Sequence, residues 1–145
     1  MRRLVMLLLA ASLLTLGGCA KSGTTPGAAT EGIHMPPFTI SRTGGIAGVM
    51  DTLQVEQNGQ WSLTTRGSTP TAGQLDVQAA GRIAHLLADP ALGAEIASAA
   101  PNSGCADQFK YHVALSGRDF SFDDCGRLGP VLTDLLGVLR SETGF

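Results

Sequence analysis

Apolar residues fall along this chain in three rhythms, interrupted by a stretch that has none. From Leu4 to Leu16 they run almost unbroken behind Arg2 and Arg3. Lys21 to Gly32 shows no periodicity and is rich in Gly, Thr, Ala and Pro. Such a composition cannot bury enough surface to offset its ordering entropy, so it predicts a flexible stalk. Beyond it, strand-like alternation and helix-like spacing take turns, and the fold is expected to begin near Pro37.

Phe38, Ile40 and Arg42 alternate with Thr39 and Ser41, which predicts a short strand. It runs into Thr43-Gly44-Gly45-Ile46-Ala47-Gly48, whose glycines open backbone angles closed to other residues. A second strand is expected from about Val49 to Glu56, and Trp61, Leu63 and Thr65 mark a third. Asn58-Gly59 between them suggests a two-residue hairpin loop. That register sets Val55 against Ser62 and Leu53 against Thr64. A shift of one pairs Val55 with Trp61 and Leu53 with Leu63, which collects the apolar side chains on one face. Burial decides between registers, so the expectation is a loop of Gln57-Asn58-Gly59 with Gly59 left-handed. Ser68 to Gly73 reads as a connector.

Asp76 is placed to cap a helix over Val77 to about Ala88, with Val77, Ala80, Ile83, Ala84 and Leu87 on its apolar face. Asp89-Pro90 ends it, and Ala91 to Ala99 has the makings of a second short helix. Phe109, Tyr111, Val113 and Leu115 alternate, as do Phe120 and Phe122. A tight Ser116-Gly117 turn pairs Val113 with Phe120 and Tyr111 with Phe122. Pro130 suits a first helical turn, and Val131, Leu132, Leu135, Leu136, Val138 and Leu139 cover one side of a last helix. The expected fold is α+β: a small, mostly antiparallel sheet of about five strands with two or three helices packed on one face.

The run from Leu4 to Leu16 is too short to span a bilayer and ends in Leu16-Gly17-Gly18-Cys19. A cationic start, an apolar segment, small residues and then cysteine resemble a bacterial lipoprotein signal. The resemblance implies cleavage after residue 18 and a diacylglycerol group on the Cys19 thiol. It also implies a place at the extracytoplasmic side of the cell membrane, while composition and length set a linker over 19–36 and a single domain over 37–145. Each buried methylene contributes roughly 0.8 kcal/mol, so two or three acyl chains anchor a protein almost permanently. No cofactor is expected beyond that lipid. Export places Cys105 and Cys125, which flank the second predicted hairpin, in an oxidising compartment and favours a disulfide between them. Two free thiols or a metal pair are the rivals. Against the metal pair, there is no Cys-x-x-Cys, and His34, His85 and His112 stand at no ligand spacing.

Charge changes little. The chain has 10 Lys and Arg against 12 Asp and Glu, and removing Arg2 and Arg3 moves the balance further to the acidic side. With no basic tract, one Trp and one Tyr, nothing points to nucleic acid. The sequence lacks His-Glu-x-x-His, Gly-x-Ser-x-Gly and both phosphate-loop patterns, so no enzyme is expected. Asp119, Asp123 and Asp124 do not follow a calcium-loop spacing and read as solvated residues at a strand end.

Ser41-Arg42-Thr43-Gly44-Gly45-Ile46-Ala47-Gly48 is the unusual local pattern. It resembles the arginine, Ser/Thr, Gly-Gly, aromatic or aliphatic, Ala-Gly signature of the emfourin-like family, whose founding member inhibits protealysin, a thermolysin-family metalloprotease. Looser similarity continues through Leu75-Asp76, Asp89-Pro90 and the closing Leu-rich helix. Emfourin itself is not a lipoprotein, so this chain departs from it in compartment, lipid and cysteines. The resemblance implies a membrane-tethered inhibitor that occludes the cleft of a secreted or envelope metalloprotease of that family. Arg42, Thr43, Gly44, Gly45, Ile46, Ala47 and Gly48 would form its contact segment, entering by strand addition with Ile46 as anchor. The other expectation for these glycines is a tight corner between strands with Ile46 in the core. The alternative function is an envelope binding module that holds a small ligand or a partner protein, or assists a larger assembly. A protruding anchor loop marks the inhibitor and a sizeable apolar pocket marks the module.

Overall fold

The computed structural model describes residues 32, 34–99 and 105–145. The expected lipoprotein signal, with Cys19, and nearly all of the expected stalk lie outside them. Six strands form one antiparallel sheet: β1 (Phe38–Gly44), β2 (Val49–Val55), β3 (Gln60–Thr65), β4 (Thr71–Gln74), β5 (Phe109–Leu115) and β6 (Arg118–Asp123). The order is β4-β3-β2-β1-β5-β6, so β1 is central and paired on both edges. Helices α1 (Val77–Ala88), α2 (Pro90–Ser98) and α3 (Pro130–Thr143) complete an α+β fold.

Alternation sets the two sides of the sheet. Phe38, Ile40, Leu53, Val55, Tyr111, Val113 and Leu115 are buried on one face, while Thr43, Gln54 and His112 are exposed on the other. The buried face packs with Ala80, Ile83 and Leu86 of α1, Leu92 and Ile96 of α2, and Leu132, Leu135 and Leu139 of α3 into one core. That core lies wholly between Met35 and Phe145. Among the described residues every core side chain thus falls within 33–145, which is expected to fold as a unit around its own core.

Both hairpin registers follow from burial. Val55 pairs with Trp61 and Leu53 with Leu63 around the three-residue loop, and Gly59 has φ +80°. Tyr111 pairs with Phe122 and Val113 with Phe120, across a turn in which Ser116 and Gly117 both have positive φ. Such a turn matches the twist of its strands.

Four details differ from the sequence reading. The connector after Ser68 contains a sixth strand, β4, which lacks large apolar residues and is held by backbone pairing to β3. Met35, expected in the linker, is 2% exposed, and its N–H donates to the Gln57 carbonyl at 3.4 Å. Val77, expected on the apolar face of α1, is 61% exposed. The buried stripe of that helix runs instead through Ala79, Ala80, Ile83 and Leu86, a helical face from which Val77 is rotated away. Asp123 and Asp124 are not simply solvated. Asp123 is buried and accepts the Cys125 N–H, and Asp124 accepts the Phe109 N–H at 2.8 Å.

The Cys105–Cys125 disulfide is formed, with Cα atoms 5.7 Å apart, and ties the approach to β5 to the exit of β6.

Candidate functional site

The contact segment proposed by the sequence closes the β1–β2 hairpin at one end of the sheet. Gly44 pairs with Val49, and the four residues Gly45 to Gly48 form the loop between them. The Gly48 N–H donates to the Gly45 carbonyl at 3.0 Å and closes the turn. The Gly45 N–H donates to the Gln108 carbonyl at 3.1 Å and fastens the turn to the entry of β5.

The glycines have separate reasons. Gly44 has φ +107°, and a Cβ there would sit 2.4 Å from the Gln108 carbonyl oxygen. At Gly45, with φ +68°, it would sit 2.7 Å from the Phe109 ring. Gly48 has φ +60° but open surroundings, with only the Arg66 guanidinium at 3.7 Å. The first two permit close approach to β5; the third permits only the turn.

Arg42 holds this end of the sheet together from beneath. Alternation directs it to the helix side, where its guanidinium pairs with the Asp51 carboxylate of the facing strand, Nε donating at 3.2 Å. Its cation also lies 5.2 Å from the Phe109 ring centre and 5.0 Å from that of Phe145. Both partners are largely buried, at 15% and 6% side-chain exposure. A buried pair of this kind depends on keeping both members, since a lone buried charge is strongly unfavourable. Beside it, Tyr111 stacks on Phe122 with ring centres 4.8 Å apart. Burial pushes the Tyr111 hydroxyl above the usual tyrosine pKa, with Asp124 adding to the shift and Arg42 and Arg140 opposing it.

These contacts divide the segment in two. Arg42, Gly44 and Gly45 build the loop from inside, Thr43 lies exposed on the opposite face of the sheet, and Ile46 and Ala47 stand at the tip. Ile46 is 89% exposed. That excludes the tight corner with Ile46 in the core. It also corrects the expected mode of entry: the segment is a closed turn and both edges of β1 are occupied, so it cannot add as a strand to a partner's sheet.

Two further side chains flank the tip. Met50, on the outer face of β2, is 53% exposed, and Arg66 reaches the Gly48 carbonyl at 3.5 Å. Met50 was detectable as the large apolar residue out of phase with Leu53 and Val55. Arg66 was reachable only by extending the Leu53–Leu63 register to Asp51–Thr65, which brings it beside the loop.

At the other end of β1 the structure holds a second feature, an apolar cavity of about 360 Å³ between the sheet and the helices. The chain thus shows both the protruding loop and the pocket. Among the described residues no group of three or more His, Cys, Asp or Glu side chains is placed to hold a metal. A scan against models of known protein families finds no match for this chain, and neither does a search of the curated proteins.

Proposed function

We propose that this protein is a membrane-tethered inhibitor of thermolysin-type metalloproteases, with no catalytic residue of its own, which occludes the active-site cleft with the Gly45–Gly48 turn. The observation that carries the reading is Ile46, a branched apolar side chain 89% exposed at the tip of a loop pinned on both sides. A single exposed apolar side chain is ordinary on a protein surface, so it is the placing of Ile46 at a loop tip, near exposed Met50, that supports a contact role. Clefts of this protease class have a pocket for a bulky apolar side chain just after the cleaved bond, and Ile46 has its size and chemistry. The resemblance of residues 41–48 to the emfourin-like signature supports the same segment. Lipid on Cys19 would hold the domain at the extracytoplasmic membrane surface, where it meets secreted or envelope proteases.

Full burial of an Ile side chain is worth about 1.5–3 kcal/mol, so one anchor does not make a tight inhibitor. Rigidity supplies part of the rest. The turn is already closed by two backbone hydrogen bonds, so less entropy remains to be lost on binding. Met50 and Ala47 extend the apolar contact around the anchor.

The test is Ile46→Asp in residues 33–145. Ile46 contributes nothing to the core, so the melting temperature is expected to stay within a degree or two of the parent. Inhibition is expected to fall at least tenfold. Inhibition unaffected by the substitution contradicts the anchor.

A further inference from the structure

We infer that the cavity between sheet and helices binds a single-chain amphiphile, its alkyl tail inserted into the domain and an anionic head group beside Arg118. The cavity lies at the Phe38 end of β1, away from the Ile46 turn, and is independent of the inhibitory reading. Phe38, Ile40 and Val113 of the sheet and Ile96, Leu132 and Leu135 of the helices form its walls. Interiors are normally packed with few voids larger than a water molecule. Here the chain leaves α1 at Ala88, passes through extended Asp89 and re-enters a helix at Pro90, and the joint carries small residues. Ala88, Pro90 and Gly93 line the mouth, and a Cβ on Gly93 would meet nothing within 4 Å.

The lining specifies the ligand. Its polar side chains are Asp89 and Arg118, both next to the mouth, so an inserted group finds no hydrogen-bonding partner deeper in. Burying a polar group there is unfavourable, and water gains nothing from entering an apolar cavity. The occupant is therefore hydrocarbon. An apolar cavity of about 150 Å³ accommodates benzene, so this one has room for about a dozen carbon atoms. The sign of the head group follows from what each rim charge already does. Asp89 caps α2 by accepting the Ala91 N–H at 2.8 Å, which sets its charge against the positive helix start. Arg118 is exposed, lies over the Phe120 ring at 5.5 Å and forms no ion pair among the described residues. Its guanidinium is the free charge at the mouth and suits a carboxylate or a phosphate.

Calorimetric titration of residues 33–145 with dodecanoate and with dodecyl phosphate, below their micelle concentrations, tests this. Dodecyltrimethylammonium serves as the chain with the opposite head. The expected result is one saturable site that prefers an anionic head over the cationic one at least tenfold, and the stronger of the two anions identifies the head group. Arg118→Ala is expected to abolish that preference while leaving chain binding. Gly93→Phe fills the mouth and is expected to weaken binding of every chain at least tenfold. It replaces a helical glycine in open space, so the melting temperature should not fall. Ile46→Asp should bind as the parent does. No saturable binding, several equivalents bound, equal binding of the cationic chain, or undiminished binding by Gly93→Phe would each overturn the assignment.

Discussion

Gly44 and Gly48 bracket the same turn and both have positive φ, yet they answer to different constraints. Gly48 needs only its left-handed conformation, which costs a residue with a Cβ roughly 1–2 kcal/mol. Gly44 lies well outside that region and also approaches the Gln108 carbonyl more closely than any Cβ allows. We expect Gly48→Ala to lower stability by about 1 kcal/mol and Gly44→Ala by about 3 kcal/mol, read from urea unfolding. Equal losses would mean that the approach to β5 does not hold the turn. Tyr111 offers a second test at this scale, because it is the only tyrosine in the chain. Its raised pKa favours the protonated hydroxyl in the folded state. Above pH 10 the unfolded chain ionises its tyrosine while the native protein keeps the proton, so stability falls as pH rises from there toward the folded pKa. Phenolate absorbance of the folded protein should therefore appear only above the ordinary range. A midpoint at or below pH 10 contradicts the buried environment.

Among the elements, α3 shows most clearly what a linear reading reaches. Its apolar stripe and its proline start were legible, because each depends on residues within a few turns of one another. What starts the helix was not. Gly129 provides no side-chain cap, and the open N–H groups of Val131 and Leu132 are satisfied by Glu95 of α2, at 3.3 and 2.8 Å. A partner more than thirty positions away leaves no local trace. The expected cost of Glu95→Ala is about 1–2 kcal/mol in urea unfolding, the worth of a helix cap, and Glu95→Gln should recover part of it. The same contrast explains β4. Hairpins with large apolar faces declare their register, whereas β4 is held by backbone bonds and by Gly73, whose missing side chain lets the Trp61 indole lie against it. Polar surface pairing has no period to read. In the candidate site, the glycines and Ile46 stood out as a pattern. The inward turn of Arg42 onto Asp51, Phe109 and Phe145 required three other segments of the chain to be in place.

For the whole molecule, the arrangement separates two features along β1. One end of this central strand is braced by the Arg42–Asp51 pair and carries the closed turn with exposed Ile46. The other opens between the sheet and the α1–α2 joint into an apolar cavity. The disulfide closes the chain around β5 and β6, the strands that support both ends. Separation of this kind predicts that changes at the tip leave the cavity unaffected, and that filling the cavity leaves inhibition unaffected. The central claim remains the inhibitory one, and it is tested most directly without any substitution. Residues 33–145, with the disulfide formed, would be titrated into a panel of secreted thermolysin-family proteases while peptide hydrolysis is followed. The account predicts that activity of at least one protease falls in proportion to the amount added and stops at a one-to-one ratio. Full activity across the panel at excess domain would contradict it.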